Sequence, residues 1–260
     1  MSNITHLSAL ATHYDQEAKR YDVFNEKRSK QINQLIENVL QENNVKTVLD
    51  LACGTGSQVF WLTEKGFDVV GIDINDKMLS IARQKANQKG IALRFENGDM
   101  RSNQGGQFDA VLTIFNAIGH LTKADFEVAL QNIHTNLKSG GLYLFDIFNL
   151  EYLQHKDNIT KLTIDWQKKS GEVMTREIQY STISSDGVLA SYDIYHEQQG
   201  NHAPEIRTAV QTLQVYSAEQ LRVLLKRNGF EVVQQTDING SALKRQESER
   251  LLTIARKIVR

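Results

Sequence analysis

The sequence predicts an α/β fold: a doubly wound, mostly parallel seven-stranded sheet with an antiparallel β insertion after the fifth strand. Three observations carry this expectation. Short apolar runs alternate with helical patterns across residues 45–146, the signature of parallel βαβ units. The first run ends in a glycine turn, Gly54-Thr55-Gly56, that opens a helix. Beyond Leu150 the pattern changes to consecutive strands joined by short turns.

Each element follows from local pattern. Ile32, Leu35, Ile36, Val39 and Leu40 recur at helical spacing and predict an amphipathic helix before the first strand, 45–51. A helix over 57–65 is closed by Gly66, and 69–72 is the second strand. Residues 76–89 read as a helix with Met78, Leu79 and Ala82 on one face and Gly90 as its stop. Strands at 92–96 and 108–115 follow, then a helix over 123–137. Gly140-Gly141 then turns into the fifth strand, 142–146. The insertion offers strands at 160–168, 172–183, 187–197 and 206–216, with turns at Ser170-Gly171 and Ser185-Asp186-Gly187. A helix over 217–227, stopped by Asn228-Gly229, and strands at 230–235 and 250–258 complete the main sheet. The expected division is therefore a ligand-binding core with an N-terminal helical cap (1–150), an antiparallel insertion (151–216) and a C-terminal completion of the sheet (217–260).

Composition narrows the function classes. The chain has 260 residues, of which 40% are apolar, enough for a real core. Its net charge of −1 supplies no global field to recruit nucleic acid or anionic lipid. The one cysteine, Cys53, excludes an intramolecular disulfide. The first residues lack the basic and apolar regions of a signal peptide, and no apolar run approaches a membrane span. The expectation is a cytoplasmic protein, monomer or homodimer, acting on a small molecule.

The glycine turn carries the chemistry. Glycines there let backbone approach a ligand where a side chain would collide. A dinucleotide fingerprint asks for a third glycine where this chain has Val59, and no Gly-Lys-Ser/Thr is present for a P-loop. Asp50 sits four residues before Gly54, so a carboxylate stands beside the turn; a cation suits it and a pyrophosphate does not. Asp73 ends the second strand, where an acid accepts both hydroxyls of a ribose. Asp99 and Met100 follow the third strand, placed to bind an adenine amino group and cover its ring. Cys53, between a buried strand and the turn, has no histidine at useful spacing and does not read as a nucleophile.

Together these residues resemble the class I S-adenosylmethionine (SAM)-dependent methyltransferase superfamily. Its first motif is similar to Val48-Leu49-Asp50-Leu51-Ala52-Cys53-Gly54-Thr55-Gly56, its second to Val70-Gly71-Ile72-Asp73 with Asp76-Lys77-Met78-Leu79. The resemblance implies a Rossmann-like sheet with one reversed strand near its edge and SAM across the strand ends, leaving S-adenosylhomocysteine as product. It implies a cofactor set of Tyr21, Arg28, Asp50, Ala52, Cys53, Gly54, Gly56, Asp73, Ile74, Met78, Asp99, Met100, Phe115 and Asn116, with no metal. Arg28 stands where such enzymes keep an arginine for the cofactor carboxylate.

Subclass markers point to a small-molecule acceptor. The run after the fourth strand, Phe115-Asn116-Ala117-Ile118-Gly119-His120, lacks the prolines of nucleic-acid amino-methyltransferases. Asp146 and Asn149 make a poor metal set, against metal-assisted O-methyltransferases. Asn116 with His120, and Asp146 through Asn149 to Tyr152-Leu153, resemble small-molecule N-methyltransferases, including glycine N-methyltransferases and sugar-amine enzymes. Glycine enzymes place an arginine just after the fifth strand; Phe148 stands there, which argues for a less acidic or more apolar acceptor. His120 and Tyr14 are the catalytic candidates, the first to take or exclude the acceptor proton, the second to orient the acceptor. Tyr180, Tyr192, Tyr195, His196 and Arg207 are candidate contacts from a lid formed by the insertion. The rival readings are a nicotinamide-dependent oxidoreductase on a related fold and a SAM-binding protein without catalysis.

Overall fold

The first apolar run becomes β1 (Thr47–Leu51), in the middle of a seven-stranded sheet. The computed structural model describes residues 5–15, 18, 21–155, 163–168 and 173–258; within these, 23–28, 163–168, 173–179, 197 and 199 are described by backbone alone. β1 pairs in parallel with β2 (Asp68–Asp73) on one side and β4 (Phe108–Thr113) on the other. β3 (Arg94–Asn97) extends the sheet beyond β2, and β5 (Leu137–Phe148) lies beside β4, both parallel. β11 (Arg250–Lys257) runs antiparallel to β5 and to β10 (Phe230–Asp237), giving the order β10-β11-β5-β4-β1-β2-β3 with β11 reversed.

Alternation along the strands builds two cores. Val48, Leu112, Leu142 and Leu144 face α1 (Tyr21–Glu42), α2 (Ser57–Glu64) and α3 (Asp76–Lys89). Their neighbours Leu49, Val111, Tyr143 and Phe145 face α4 (Lys123–Asn136) and α6 (Ala218–Arg227). Helices on both faces bury the central strands β1, β2, β4 and β5 on both sides, which is why these strands are largely apolar runs, while the edge strand β3 is mostly exposed. Among the described residues no helix is long and apolar enough to cross a membrane.

The short helix α5 (Leu150–His155) leads to a second, four-stranded antiparallel sheet: β6 (Thr163–Lys168), β7 (Val173–Ile183), β8 (Val188–Gln199) and β9 (Glu205–Gln214), in that order. Its Ile183, Leu189 and Leu213 pack with Leu150, Val215 and Phe148. The second sheet is thereby anchored at the carboxyl end of β5, beside the strand ends where ligands of open α/β sheets bind.

Two local expectations are corrected. Gly140-Gly141 is not a turn before the fifth strand: β5 begins at Leu137 and runs through both glycines. Gly140 adopts φ 72°, and the pairing register with β4 shifts between Phe108 and Ala110, so the pair marks a bulge. The third strand starts at Arg94, two residues later than expected, after the helix stop at Gly90.

Gly71, within β2, sits at a close joint of the main sheet. A Cβ there would lie 2.8 Å from Val59 Cγ2 and 3.0 Å from both Cys53 Sγ and Phe95 Cδ1. Gly71→Ala should therefore cost about 1–3 kcal/mol of stability through overpacking. Chemical denaturation reads this as a lowered midpoint with an unchanged slope.

Candidate active site

The turn after β1 is left-handed at three positions. Ala52 has φ 64°, Gly54 φ 55° and Gly56 φ 88°. A Cβ on Gly56 would meet Phe95 Cζ at 2.8 Å, so the turn closes only with glycine there. Asp73, at the end of β2, holds the turn: its carboxylate accepts from Gly54 N at 2.7 Å and from Asn75 N at 2.8 Å. Burial raises the Asp73 pKa, and these N–H donors pull against that rise. Asn75 caps α3 by accepting from Met78 N at 2.9 Å.

Beneath the turn, Asp50 is buried and its Oδ2 has no hydrogen-bond partner among the described residues. Burial, and then the Asp73 charge, push its pKa well above the ordinary value of 3.8. An orphaned acid buried beneath the glycine turn favours a cationic or donor-bearing group close by. Cys53 is also buried; burial first, then Asp50 and Asp73, raise its thiol pKa, so it stays protonated and unreactive.

A second left-handed pair ends β4. Phe115 (φ 63°) and Asn116 (φ 62°) are cross-braced to β5. Asp146 accepts from Phe115 N at 2.6 Å, and Asn116 Oδ1 accepts from Phe148 N at 3.1 Å. Asn116 is thus committed to holding the backbone. The 3-10 helix Ala117–His120 that follows presents His120 to the mouth.

The N-terminal segment crosses over this mouth as a strap. Ala9 N donates to His120 O, Asn75 Nδ2 to Ala11 O, and Thr122 N to Ser8 Oγ. His6 Nε2 reaches Leu121 O at 3.0 Å while its Nδ1 lies 2.9 Å from Thr212 Oγ1 on β9. Under the strap is a cleft lined by Tyr14, Gly54, Asp73, Ile74, Met78, Asp99, Met100 and His120 among others. A second opening lies between α1 and α2, and Tyr21, Ala52, Gly54 and Phe115 line both. Ile74 keeps 36% of its surface exposed, an apolar face at the rim.

Tyr14 and His120 meet: Tyr14 Oη lies 2.6 Å from His120 Nε2. His120 Nδ1 is buried with no partner among the described residues. Burial, then the neighbouring His13 and His6, lower the His120 pKa to about 3. The imidazole is therefore neutral at physiological pH and too weakly basic to hold the proton of an ammonium group. Of the two roles expected for it, taking the acceptor's proton is disfavoured.

Other expected residues divide. Tyr21 joins the cleft; burial first, then the Asp73 charge, push its pKa up to about 12. Asp99 lines the cleft, but Arg101 already occupies its carboxylate through Nε at 3.0 Å and Nη2 at 2.5 Å. Burial raises the Asp99 pKa, Arg101 outweighs it, and the net shift is downward. Arg28 lies in α1 with its side chain outside the described residues. In the second sheet, Tyr180, Tyr192 and His196 share one face, and the two tyrosines are exposed. Tyr195 and Arg207 share the opposite face with Leu189 and Leu213, which pack toward Phe148.

One residue escaped the sequence altogether. Arg250, first in β11, pairs across β5 with Phe148 and forms an ion pair with the fully buried Asp146. Its guanidinium carbon lies 5.4 Å from the Phe148 ring centroid and 5.9 Å from that of Phe115. The mouth is therefore not purely apolar at Phe148, as the sequence suggested; a cation arrives from a strand 102 positions away.

Residues 48–141 match the family described as methyltransferase domain. The YqeM protein of Bacillus subtilis (strain 168), which carries a methyltransferase name, is 31% identical over 217 residues, 81% of this chain and 83% of that protein. The chain belongs to the class I SAM-dependent methyltransferases. Its fold matches a SAM-dependent methyltransferase from Clostridium acetobutylicum ATCC 824 with a TM-score of 0.77 at 20% identity, over 95% of this chain and 99% of that one. It also matches SAM-bound CalS10, an amino pentose methyltransferase from Micromonospora echinaspora, with a TM-score of 0.69 at 17% identity, over 98% of this chain and all of that one. SAM is the cofactor, and the site suits it: a left-handed glycine turn, the Asp73 carboxylate and the uncovered apolar face of Ile74 line one cleft, with the orphaned Asp50 buried beneath the turn.

Asp50 sets a stability test. Its raised folded-state pKa means that no penalty exists below the unfolded value, where both states are protonated. The penalty grows as pH rises from 3.8 toward the folded value and is complete above it. Asp50→Asn should therefore raise the melting temperature of the ligand-free protein at neutral pH, with the gain vanishing near pH 3. A gain that persists unchanged in acid would contradict this origin.

Proposed function

We propose that this enzyme moves the methyl group of SAM to an amine nitrogen of a small molecule. The observation that carries this reading is the Tyr14–His120 pair, 2.6 Å apart under the strap, with the imidazole held neutral. An amine attacks through its lone pair, so its environment must present acceptors for its N–H groups and no proton donor strong enough to protonate it. Whichever imidazole nitrogen carries the hydrogen, Tyr14 Oη keeps a lone pair that can accept an N–H of the acceptor. His120 fixes that hydroxyl by the 2.6 Å bond and keeps charge out of the mouth. The similarity in fold to an amino pentose methyltransferase supports an amine acceptor.

The cofactor supplies an activated methyl on a cationic sulfonium. In this reading Asp73 takes the ribose hydroxyls with the lone pairs not used by Gly54 and Asn75. Ile74, Met78 and Met100 cover the adenine, Ala52, Cys53 and Gly54 give backbone approach, and Asp50 balances positive charge. Tyr21 and Phe115 close the space between the two openings, and Arg28 pairs with the cofactor carboxylate. The chain's contribution is position and exclusion of water, with the strap and the second sheet as the cover. A cytoplasmic protein acting on a small molecule, organised as core (1–150), lid (151–216) and sheet completion (217–260), fits this use.

The test is methyl transfer from labelled SAM across amines, amino sugars and hydroxyl compounds. Turnover confined to amine-bearing acceptors supports the proposal; turnover confined to hydroxyl compounds overturns it. The acid limb of the pH–rate profile should follow the acceptor amine's own pKa. Tyr14→Phe and His120→Gln should each lower kcat/KM about 10- to 100-fold while leaving that limb in place. A limb that disappears in His120→Gln would show that the imidazole carries the proton after all.

A further inference from the structure

Arg250 stands in a place no expectation covered. It lies at the carboxyl end of β5, where the parallel strands open, in register with Phe148. Phe148 packs against the apolar base of the second sheet, so Arg250 sits where main sheet and cover meet. The Phe115 and Phe148 rings lie within 5.9 Å of its guanidinium carbon, and Phe115 lines both openings of the cofactor cleft. Arg250 also acts electrostatically on the Tyr21 hydroxyl, in opposition to Asp73 and Asp146.

The guanidinium is under-used. Among the described residues its hydrogen-bond partner is Asp146, reached through Nη2. Nε is buried with no partner among the described residues. A guanidinium has five N–H donors in a planar fork that matches a carboxylate or phosphate. Asp146 does not exhaust it, because Asp146 is shared with Phe115 N. The same chain shows one guanidinium serving two carboxylates: Arg101 contacts Asp99 at 2.5 Å and Asp125 at 3.0 Å. Asp146 and the rings hold the Arg250 fork in one orientation, so little conformational freedom is lost when a second anion docks.

We propose that Arg250 is the acceptor-anchoring residue of this enzyme, and that the acceptor amine carries an anionic group, a carboxylate or a phosphate, that docks on the free side of this guanidinium. The proposal rests on the methyltransferase reading of the cleft and adds to it a substrate class. It replaces the apolar acceptor suggested by Phe148. The arginine that glycine methyltransferases place after the fifth strand has a counterpart here on β11.

The test keeps the two readings apart. Calorimetry first measures S-adenosylhomocysteine binding to the wild-type protein; failure there defeats the methyltransferase reading, not the anchor. The loaded protein is then titrated with inorganic phosphate and, separately, with acetate. Binding of at least one is expected, and the tighter of the two names the source of the anion. Arg250→Lys keeps a charge beside Asp146, so the fold survives, but it loses the fork; anion affinity should fall about tenfold with S-adenosylhomocysteine affinity unchanged. With an amine acceptor bearing the preferred anion, the same variant should raise KM about tenfold and leave kcat nearly unchanged. Equal anion binding by wild type and Arg250→Lys overturns the proposal, as does no anion binding at all. Anion binding only in the absence of S-adenosylhomocysteine overturns it too, by assigning the guanidinium to the cofactor's own carboxylate.

Discussion

The bond from Gly54 N to the Asp73 carboxylate is the constraint on which the site depends. It ties the turn after β1 to the end of β2 across 19 residues of sequence. Without it, the left-handed run through Ala52, Gly54 and Gly56 would have no fixed relation to the acid at the end of β2. Asp73 can stand in a buried position because two backbone N–H groups replace water around it. A charge-assisted bond of this kind is worth about 1.5–3 kcal/mol, enough to hold a strained turn.

The same device recurs one strand pair further on. Asp146 from β5 pins Phe115, and Asn116 pins Phe148 in return, so two left-handed residues are held by reciprocal side-chain bonds. The carboxylates of the mouth then play distinct parts. Asp73 is satisfied by backbone, Asp146 by backbone and Arg250, Asp99 by Arg101, while Asp50 keeps an unsatisfied oxygen. That unsatisfied buried oxygen is kept at the expense of stability.

Much of this was legible in the sequence. Parallel strands read as apolar runs because both faces are buried, and the glycines and acids at their ends are local features of a few residues. Local chemistry also betrayed Tyr14, His120 and the turn. What stayed hidden was long-range register. Arg250 meets Phe148 only because β11 inserts antiparallel between β5 and β10, and nothing near either residue announces that pairing. The strap is similar: His6, Ser8 and Ala9 sit in a polar stretch without periodicity, and their role exists only through Leu121, Thr122 and Thr212. The sides taken by Tyr180 and Tyr192 depend on register within the second sheet, where a one-residue shift exchanges faces. Asp99 lines the cleft as its place after β3 implies, but the sequence does not show whether its carboxylate is already taken, and Arg101 two residues on takes it.

Calorimetric titration of S-adenosylhomocysteine and of NAD into the wild-type protein and Asp73→Asn tests whether the Asp73-braced turn is the SAM site. S-adenosylhomocysteine should bind the wild type, its affinity should be lower by about tenfold or more in Asp73→Asn, and NAD should bind neither. NAD binding with no S-adenosylhomocysteine binding, or equal S-adenosylhomocysteine affinity in both proteins, would contradict that assignment.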